Sequence, residues 1–327
     1  MNPIVQSAVR AIASFTSPGG GKGTLTVLLY HRVLDRPDEL NPGEPSAAQF
    51  DAHMAVLSGM FSVLPLDEAL ARLDAGTLPA RSVSVTFDDG YLDNLEVAMP
   101  ILQRHGVLAT FFISTGLING GRMMHDTVIE TVRRFDGQPK DLAWLGLGMR
   151  TAGDTASRLA LIDEIVRQVK YQPFPQRLET CERLAAMVPE ALPDGLMLNT
   201  EQLRTMRRAG MRFGAHTHQH PILTRLTTEQ AREQIGTSRA VLADMLGEAP
   251  SMFAYPNGKP GQDYTAEHVD LVRQAGFTAA VSVSFGTLGR NSDRFQIPRF
   301  CPWDRDSRRF ALRMAQHPVR HRTPALA

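Results

Sequence analysis

The sequence predicts an α/β fold with a parallel sheet, closed as a barrel rather than left open. Three observations lead to that reading. Short β-branched and apolar runs alternate with helical stretches, the pattern of strand-helix-strand units. Several helical stretches stop at a glycine, a residue that accepts the left-handed conformation beyond a last turn. Polar clusters rich in Asp and His follow directly after several successive strands, as they do at the C-terminal face of a barrel.

Taken in order, Thr24-Leu-Thr-Val-Leu-Leu-Tyr30 follows a Gly19-Gly-Gly21 hinge and reads as a buried strand with His31 at its end. Further runs at residues 82–87, 108–113, 211–215, 252–255 and 278–283 are equally short and apolar and read as the other strands. Helical spacing occupies 47–60, 66–75, 94–105, 200–209, 228–246 and 265–275, with Gly76, Gly106, Gly210, Gly247 and Gly276 as stops. The interval 119–199 breaks this rhythm. It holds helical stretches near 123–135, 155–171 and 176–188 and no convincing strand, so it reads as a helical insertion between two strands. The expected organisation is an N-terminal helical segment and hinge at 1–23, a barrel at 24–310 carrying that insertion, and a basic C-terminal tail at 311–327. The tail, with Arg313, Arg320, His321 and Arg322, reads as a short helix and a loose end.

With 43% hydrophobic and 21% charged residues, a chain of 327 residues can bury a large core and lies outside the disordered range. Lys plus Arg number 35 against 34 for Asp plus Glu, so the chain as a whole offers no cationic field for nucleic acid. Cys181 and Cys301 lie far apart and outside any Cys-x-x-Cys spacing, and read as packed or free thiols. In the first segment Ile4, Val5, Ala8, Val9, Ile12 and Phe15 follow a helical spacing interrupted by Gln6, Ser7 and Arg10. That is not the continuous apolar run of a secretory signal, and no later stretch has the length and apolarity of a membrane span. The expectation is a cytoplasmic protein whose first helix docks on the domain or a partner, with peripheral membrane contact as the alternative.

Four clusters have the residue types of a chemical site. Asp88 and Asp89, in Thr86-Phe-Asp-Asp-Gly-Tyr91, end an apolar strand, where one carboxylate can bind a metal while its neighbour accepts a proton. The same doublet reads equally as a turn that caps the next helix. His216-Thr-His-Gln-His220 also follows a strand. Histidines four residues apart converge on one cation if the segment coils, and a surface histidine cluster is the competing reading. Asp89, His216 and His220 together make a three-ligand site with an open position, as a hydrolytic metal site requires; His218 points away or anchors the loop. His31 is a candidate general acid for expelling an amine, or a buried histidine that fixes a loop. The turn in Phe253-Ala-Tyr-Pro-Asn-Gly258 can aim a backbone N–H at an oxyanion, although Pro-Asn-Gly is also a common turn without function.

Thr86-Phe-Asp-Asp-Gly90, His216-Thr-His-Gln-His220 and Tyr255-Pro-Asn-Gly258, in that order, resemble the three leading motifs of the polysaccharide deacetylases, the NodB-homology or carbohydrate esterase family 4 enzymes. The resemblance spans roughly residues 28–299 and covers the insertion poorly. It implies a distorted (β/α) barrel and removal of N-acetyl groups from an amino-sugar-containing saccharide or polysaccharide. It further implies Asp88 as catalytic base, Asp89, His216 and His220 as metal ligands, and the Asn257 N–H as oxyanion donor. Zinc is the expected ion, with cobalt, nickel, manganese and iron suited to the same ligands. Two departures stand out. The family pattern has an arginine at the place of Ala254, and Arg299 in Ile297-Pro-Arg-Phe300 is the expected substitute. No clear late Leu-x-His motif supplies the acid; His31 in Leu29-Tyr-His-Arg-Val33 instead resembles the early Tyr-His element of the poly-N-acetylglucosamine deacetylase branch. The competing functions are a deacylase or deformylase of a lipid-linked sugar and a catalytically silent saccharide-binding homologue.

Overall fold

The computed structural model describes residues 3–320. Its elements in chain order are α1 (Pro3–Thr16), β1 (Leu25–Tyr30), α2 (Ala47–Met60), β2 (Ser62–Val63), α3 (Leu66–Asp74), β3 (Ser82–Phe87), α4 (Met99–Arg104), β4 (Thr110–Ile113), α5 (Met124–Arg133), β5 (Lys140–Asp141), β6 (Met149–Arg150), α6 (Thr155–Val169), α7 (Phe174–Ala185), α8 (Thr200–Arg208), β7 (Arg212–Ala215), α9 (Thr228–Leu246), β8 (Met252–Ala254), α10 (Ala266–Gln274), β9 (Ala279–Val281) and α11 (Ser307–Arg320). A π-helical turn, Asn94–Ala98, leads into α4.

The main sheet runs β1-β3-β4-β7-β8-β9 with every pairing parallel, and β2 joins β3 beside β4. Residues 297–300 connect its two edges: Ile297 bridges Val281 of β9 and Phe300 bridges Leu28 of β1, both in parallel. The sheet thus curls into a distorted (β/α) barrel surrounded by helices. β1 and β3 are buried at every position, which is why they read as continuous apolar runs rather than alternating ones. Val27 packs with α3 residues Leu66, Leu70 and Leu73, whereas adjacent Leu28 packs in the larger core with Phe50, Phe87 and Phe111. Successive strand residues therefore serve opposite faces, and each fully buried aliphatic contributes roughly 1.5–3 kcal/mol.

Local sequence sets the helix limits. Ser46 caps α2 by accepting from the Gln49 N–H, and Asp154, Asn199 and Thr227 make reciprocal capping boxes at the starts of α6, α8 and α9. Gly247 closes α9 at φ +75°, the left-handed position that favours glycine.

Residues 119–199 hold α5, α6 and α7 with a core of their own, in which Val128, Val132, Leu161, Ile165 and Leu184 meet Leu40 of the barrel's first loop. They also hold the antiparallel pair β5–β6, which the sequence does not announce because each strand is two residues long. α11 begins before position 311 and lies against α1 and α2, burying Phe310, Met314 and Ala315 in the main core. His321 and Arg322 lie outside the described residues. α1 docks on the domain through Val9 and Ala13, leaving Ile4 and Phe15 exposed. Among the described residues no helix is long and apolar enough to cross a membrane.

Candidate active site

Strand register assembles the site at the C-terminal edge of the sheet. Tyr30 and Phe87 are partners in the β1–β3 pairing, so the next residues, His31 and Asp88, leave the sheet side by side. The Asp88 N–H donates to the Tyr30 carbonyl at 3.0 Å and fixes that exit. From β4 and β7, the His216 N–H donates to the Ile113 carbonyl at 2.9 Å, and the Ser114 N–H donates to the Asp89 carbonyl at 3.2 Å. Four non-glycine residues here have positive φ: Asp89 (+78°), Thr217 (+63°), His220 (+53°) and Asn257 (+58°). Such backbone costs of order 1–3 kcal/mol per residue, and the site concentrates it where the chain must turn side chains inward.

Asp88 and Asp89 are 2% and 5% exposed. Arg299, 1% exposed, grips Asp88 in a fork: Nη1 donates to Oδ1 and Nη2 to Oδ2, each at 2.7 Å. The guanidinium is itself fixed by Nε donating to the Ser282 carbonyl at 3.0 Å and by Nη1 reaching Thr86 Oγ1 at 3.3 Å. Burial alone would push the Asp88 carboxyl up, but the Arg299 and His216 charges more than offset it, so Asp88 lies below the usual carboxylate range and is ionised at neutral pH. Arg299 thus sits on the carboxylate that the motif arginine would hold, reaching it from the segment between β9 and β1.

Asp89, His216 and His220 bring three ligand atoms within 4.8 Å of one another. His216 Nε2 and His220 Nε2 lie 3.5 and 3.4 Å from Asp89 Oδ1, and that buried oxygen has no hydrogen-bond partner. The His216 Nδ1–H donates to the Ala254 carbonyl at 2.7 Å, which leaves Nε2 to face the cluster with its lone pair. The Thr217 hydroxyl accepts from the His220 N–H at 3.1 Å, and Arg177 Nη2 donates to the His220 carbonyl at 2.8 Å, so the His220 backbone is held on both sides. An orphaned buried carboxylate oxygen between two imidazoles is a donor set that suits a divalent cation. Burial and the neighbouring Arg177 and His216 charges outweigh Asp89 and push the His220 imidazole down to about 3, so it is neutral and able to ligate. For His216, burial is outweighed by Asp88 and Asp89, and its pKa is raised.

His218 takes no part in this cluster. Its Nδ1 meets Thr115 Oγ1 at 2.9 Å, and its carbonyl accepts the Gly116 N–H, pinning the loop to the end of β4. His31 lies close enough to Asp88, Asp89 and Glu44 to act on each electrostatically, and its carbonyl accepts from Asn94 Nδ2 at 2.9 Å. Asn257 follows β8, lines the same opening as His220, and has an N–H that no group among the described residues accepts.

The sequence reading missed two features. Arg32, next to His31, bonds Asp93 Oδ2 at 2.7 Å and Asp126 Oδ1 at 3.2 Å and lies over the Tyr91 ring, bracing the first motif against α5. Burial pushes the Asp126 carboxyl up to about 6 despite Arg32. The other feature is Arg177, in the insertion, reaching the loop that carries His220. No local motif marks either, because the partners are separated by 61, 94 and 43 positions.

A barrel that presents a forked, ionised carboxylate beside an Asp-His-His cluster has the equipment of a hydrolase acting on a carbonyl carbon. Residues 75–280 match the polysaccharide deacetylase family, and the chain belongs to it. The poly-β-1,6-N-acetyl-D-glucosamine N-deacetylase of Staphylococcus aureus is 28% identical over 213 residues, covering 57% of this chain and 70% of that one. The deacetylase PplD of Streptococcus pyogenes, solved with acetate, superposes with a TM-score of 0.57 at 18% identity over 86% of this chain and 92% of its own. IcaB from Ammonifex degensii gives 0.55 at 19% identity over 90% and 98%. At these identities the two solved structures speak for the fold.

Proposed function

We propose that the chain hydrolyses the N-acetyl group of an amino-sugar-containing saccharide, with Asp88 as base, Arg299 positioning it, Asn257 as oxyanion donor and His31 as acid. The observation that carries this reading is the Arg299–Asp88 fork standing beside a three-ligand cluster whose Asp89 oxygen is unpartnered. Asp89, His216 and His220 would hold a divalent cation, with zinc the first choice, which would supply Lewis acidity toward the acetyl carbonyl and a water.

The remaining steps belong to the chain's own groups. Asp88 takes a proton from the attacking water, and Arg299 keeps both carboxylate oxygens in a fixed plane while it does so. As the acetyl carbon becomes tetrahedral, the Asn257 N–H donates to its oxygen. His31 delivers a proton to the nitrogen as the C–N bond breaks, so acetate leaves and a free amine remains on the sugar. Arg299 also weakens the case for a catalytically silent homologue, because it brings to Asp88 the guanidinium that Ala254 lacks. The test is acetate release from a panel of N-acetylated mono- and oligosaccharides, with N-formyl counterparts alongside. Release of acetate that Asp88→Asn abolishes supports the assignment, and undiminished turnover in that variant refutes it. The cytoplasmic location is part of the same proposal and is checked by fractionating cells and locating the chain.

A further inference from the structure

A cavity of about 150 Å³ opens between the loops carrying His220 and Asn257 and the insertion helices α5, α6 and α7. Its charge is one-sided: Arg122, Lys170 and Arg177 line it and no carboxylate does. None of the three is ion-paired among the described residues. Arg122 spends Nε on Thr127 Oγ1 at 3.1 Å and Nη1 on the Pro193 carbonyl at 2.8 Å. Arg177, buried, spends Nη2 on the His220 carbonyl and lies over the Phe174 ring. The Lys170 ammonium rests 5.7 Å from the Tyr171 ring centre; the acid that acts on it, Asp263, accepts from the Lys259 N–H and from Tyr171 Oη. Four other cations of the insertion are ion-paired: Arg133 with Asp38, Arg134 with Glu130, Lys140 with Asp136 and Arg150 with Glu164. At this cavity three cations without an ion pair meet beside His220.

Like charges around a small, partly enclosed space repel one another and lose hydration, a cost that a bound counter-charge relieves. Guanidinium and ammonium donors converging from three elements suit a carboxylate or phosphate rather than a neutral hydroxyl. We propose that this cavity binds an anionic group carried by the substrate, so that the preferred substrate is an acidic saccharide: one bearing a carboxylate or phosphate close to the acetamido group. The placement of the acetamido group rests on the deacetylase reading; the anion site itself does not.

The experiment measures equilibrium binding to the full chain and, in parallel, acetate release. The anionic probes are N-acetylglucosamine 1-phosphate and a glucuronic acid–N-acetylglucosamine disaccharide; the neutral ones are N-acetylglucosamine and its β-linked disaccharide. The expected result is at least tenfold tighter binding of one or both anionic probes, and the two arms tell phosphate from carboxylate. Replacing Arg122→Gln or Lys170→Gln reduces that preference by about tenfold, and 0.5 M salt reduces it further. The preference persists in His216→Ala, which separates the cavity from direct ligation of a metal by phosphate. Equal binding of charged and neutral probes overturns the proposal, as does a preference that survives in Arg122→Gln/Lys170→Gln or vanishes in His216→Ala. Because binding is read without turnover, failure to release acetate from any probe refutes the deacetylase reading alone. Release without charge preference refutes only the anion site.

Discussion

Replacing Arg299 with Met keeps a flexible, unbranched apolar stem but removes the fork from Asp88. Both groups are almost fully buried, 1% and 2% exposed, and joined by two 2.7 Å charge-assisted bonds. Breaking a buried pair from one side strands the other charge, at about 3–5 kcal/mol. Asp88 has a folded pKa below its ordinary value, so the stability it contributes is present above about pH 4 and lost as pH falls through the depressed value. The destabilisation of Arg299→Met is therefore largest near pH 7 and shrinks below pH 4, which urea midpoints at the two pH values measure. Catalytically, loss of the Arg299 charge lets burial raise the Asp88 carboxyl. The acid limb of kcat/KM for acetate release moves up with it, and kcat falls by about a hundredfold through lost orientation. Arg299→Lys retains a charge but not the fork, and recovers the acid limb more than the rate. An unshifted acid limb in Arg299→Met, with kcat within threefold of the parent chain, would refute the reasoning.

Other perturbations follow from the same geometry. Gly214→Ala, two residues before His216, sets a Cβ about 2.5 Å from the Phe112 ring and 2.8 Å from the Met252 carbonyl, so β7 must shift; stability drops by about 1–3 kcal/mol in thermal unfolding and metal affinity falls with it. Asp126, with its carboxyl pushed up to about 6, binds its proton more tightly folded than unfolded. Its contribution to stability is full below about pH 4 and lost as pH rises through 6, so Asp126→Asn flattens the dependence of the urea midpoint across that window. Metal affinity falls as pH drops through the raised pKa of His216, because proton and cation compete for Nε2; metal titrations at pH 6 and 8 measure this. Val9→Asp puts a charge into the contact that seats α1 on the domain and lowers the unfolding free energy by about 2 kcal/mol or more.

Strands β1 and β3 were legible because both of their faces are buried, which makes an apolar run such as Ser82–Phe87 stand out against its flanks. β2, β5 and β6 were not, because two residues carry no period. A barrel was expected, but the segment that closes it was hidden for a related reason: residues 297–300 join the sheet through single bridges at Ile297 and Phe300 rather than as a full strand. The carboxylates and histidines of the site were visible because each group directly follows a strand. Arg299 could be named as a substitute for the missing arginine, but its fork to Asp88 spans 211 positions and exists only in the folded chain. The cations around the cavity were invisible for the same reason, being scattered over residues 122–177.

The central claim is that Asp88 performs chemistry at a site whose metal is held by its neighbours. Metal content and acetate release should be measured on the same preparations of the parent chain, Asp88→Asn and His216→Ala. The account predicts bound divalent metal with acetate release in the parent, retained metal without release in Asp88→Asn, and loss of both in His216→Ala. A metal-replete parent chain that releases acetate from no N-acetylated saccharide, or an Asp88→Asn variant as active as the parent, would contradict it.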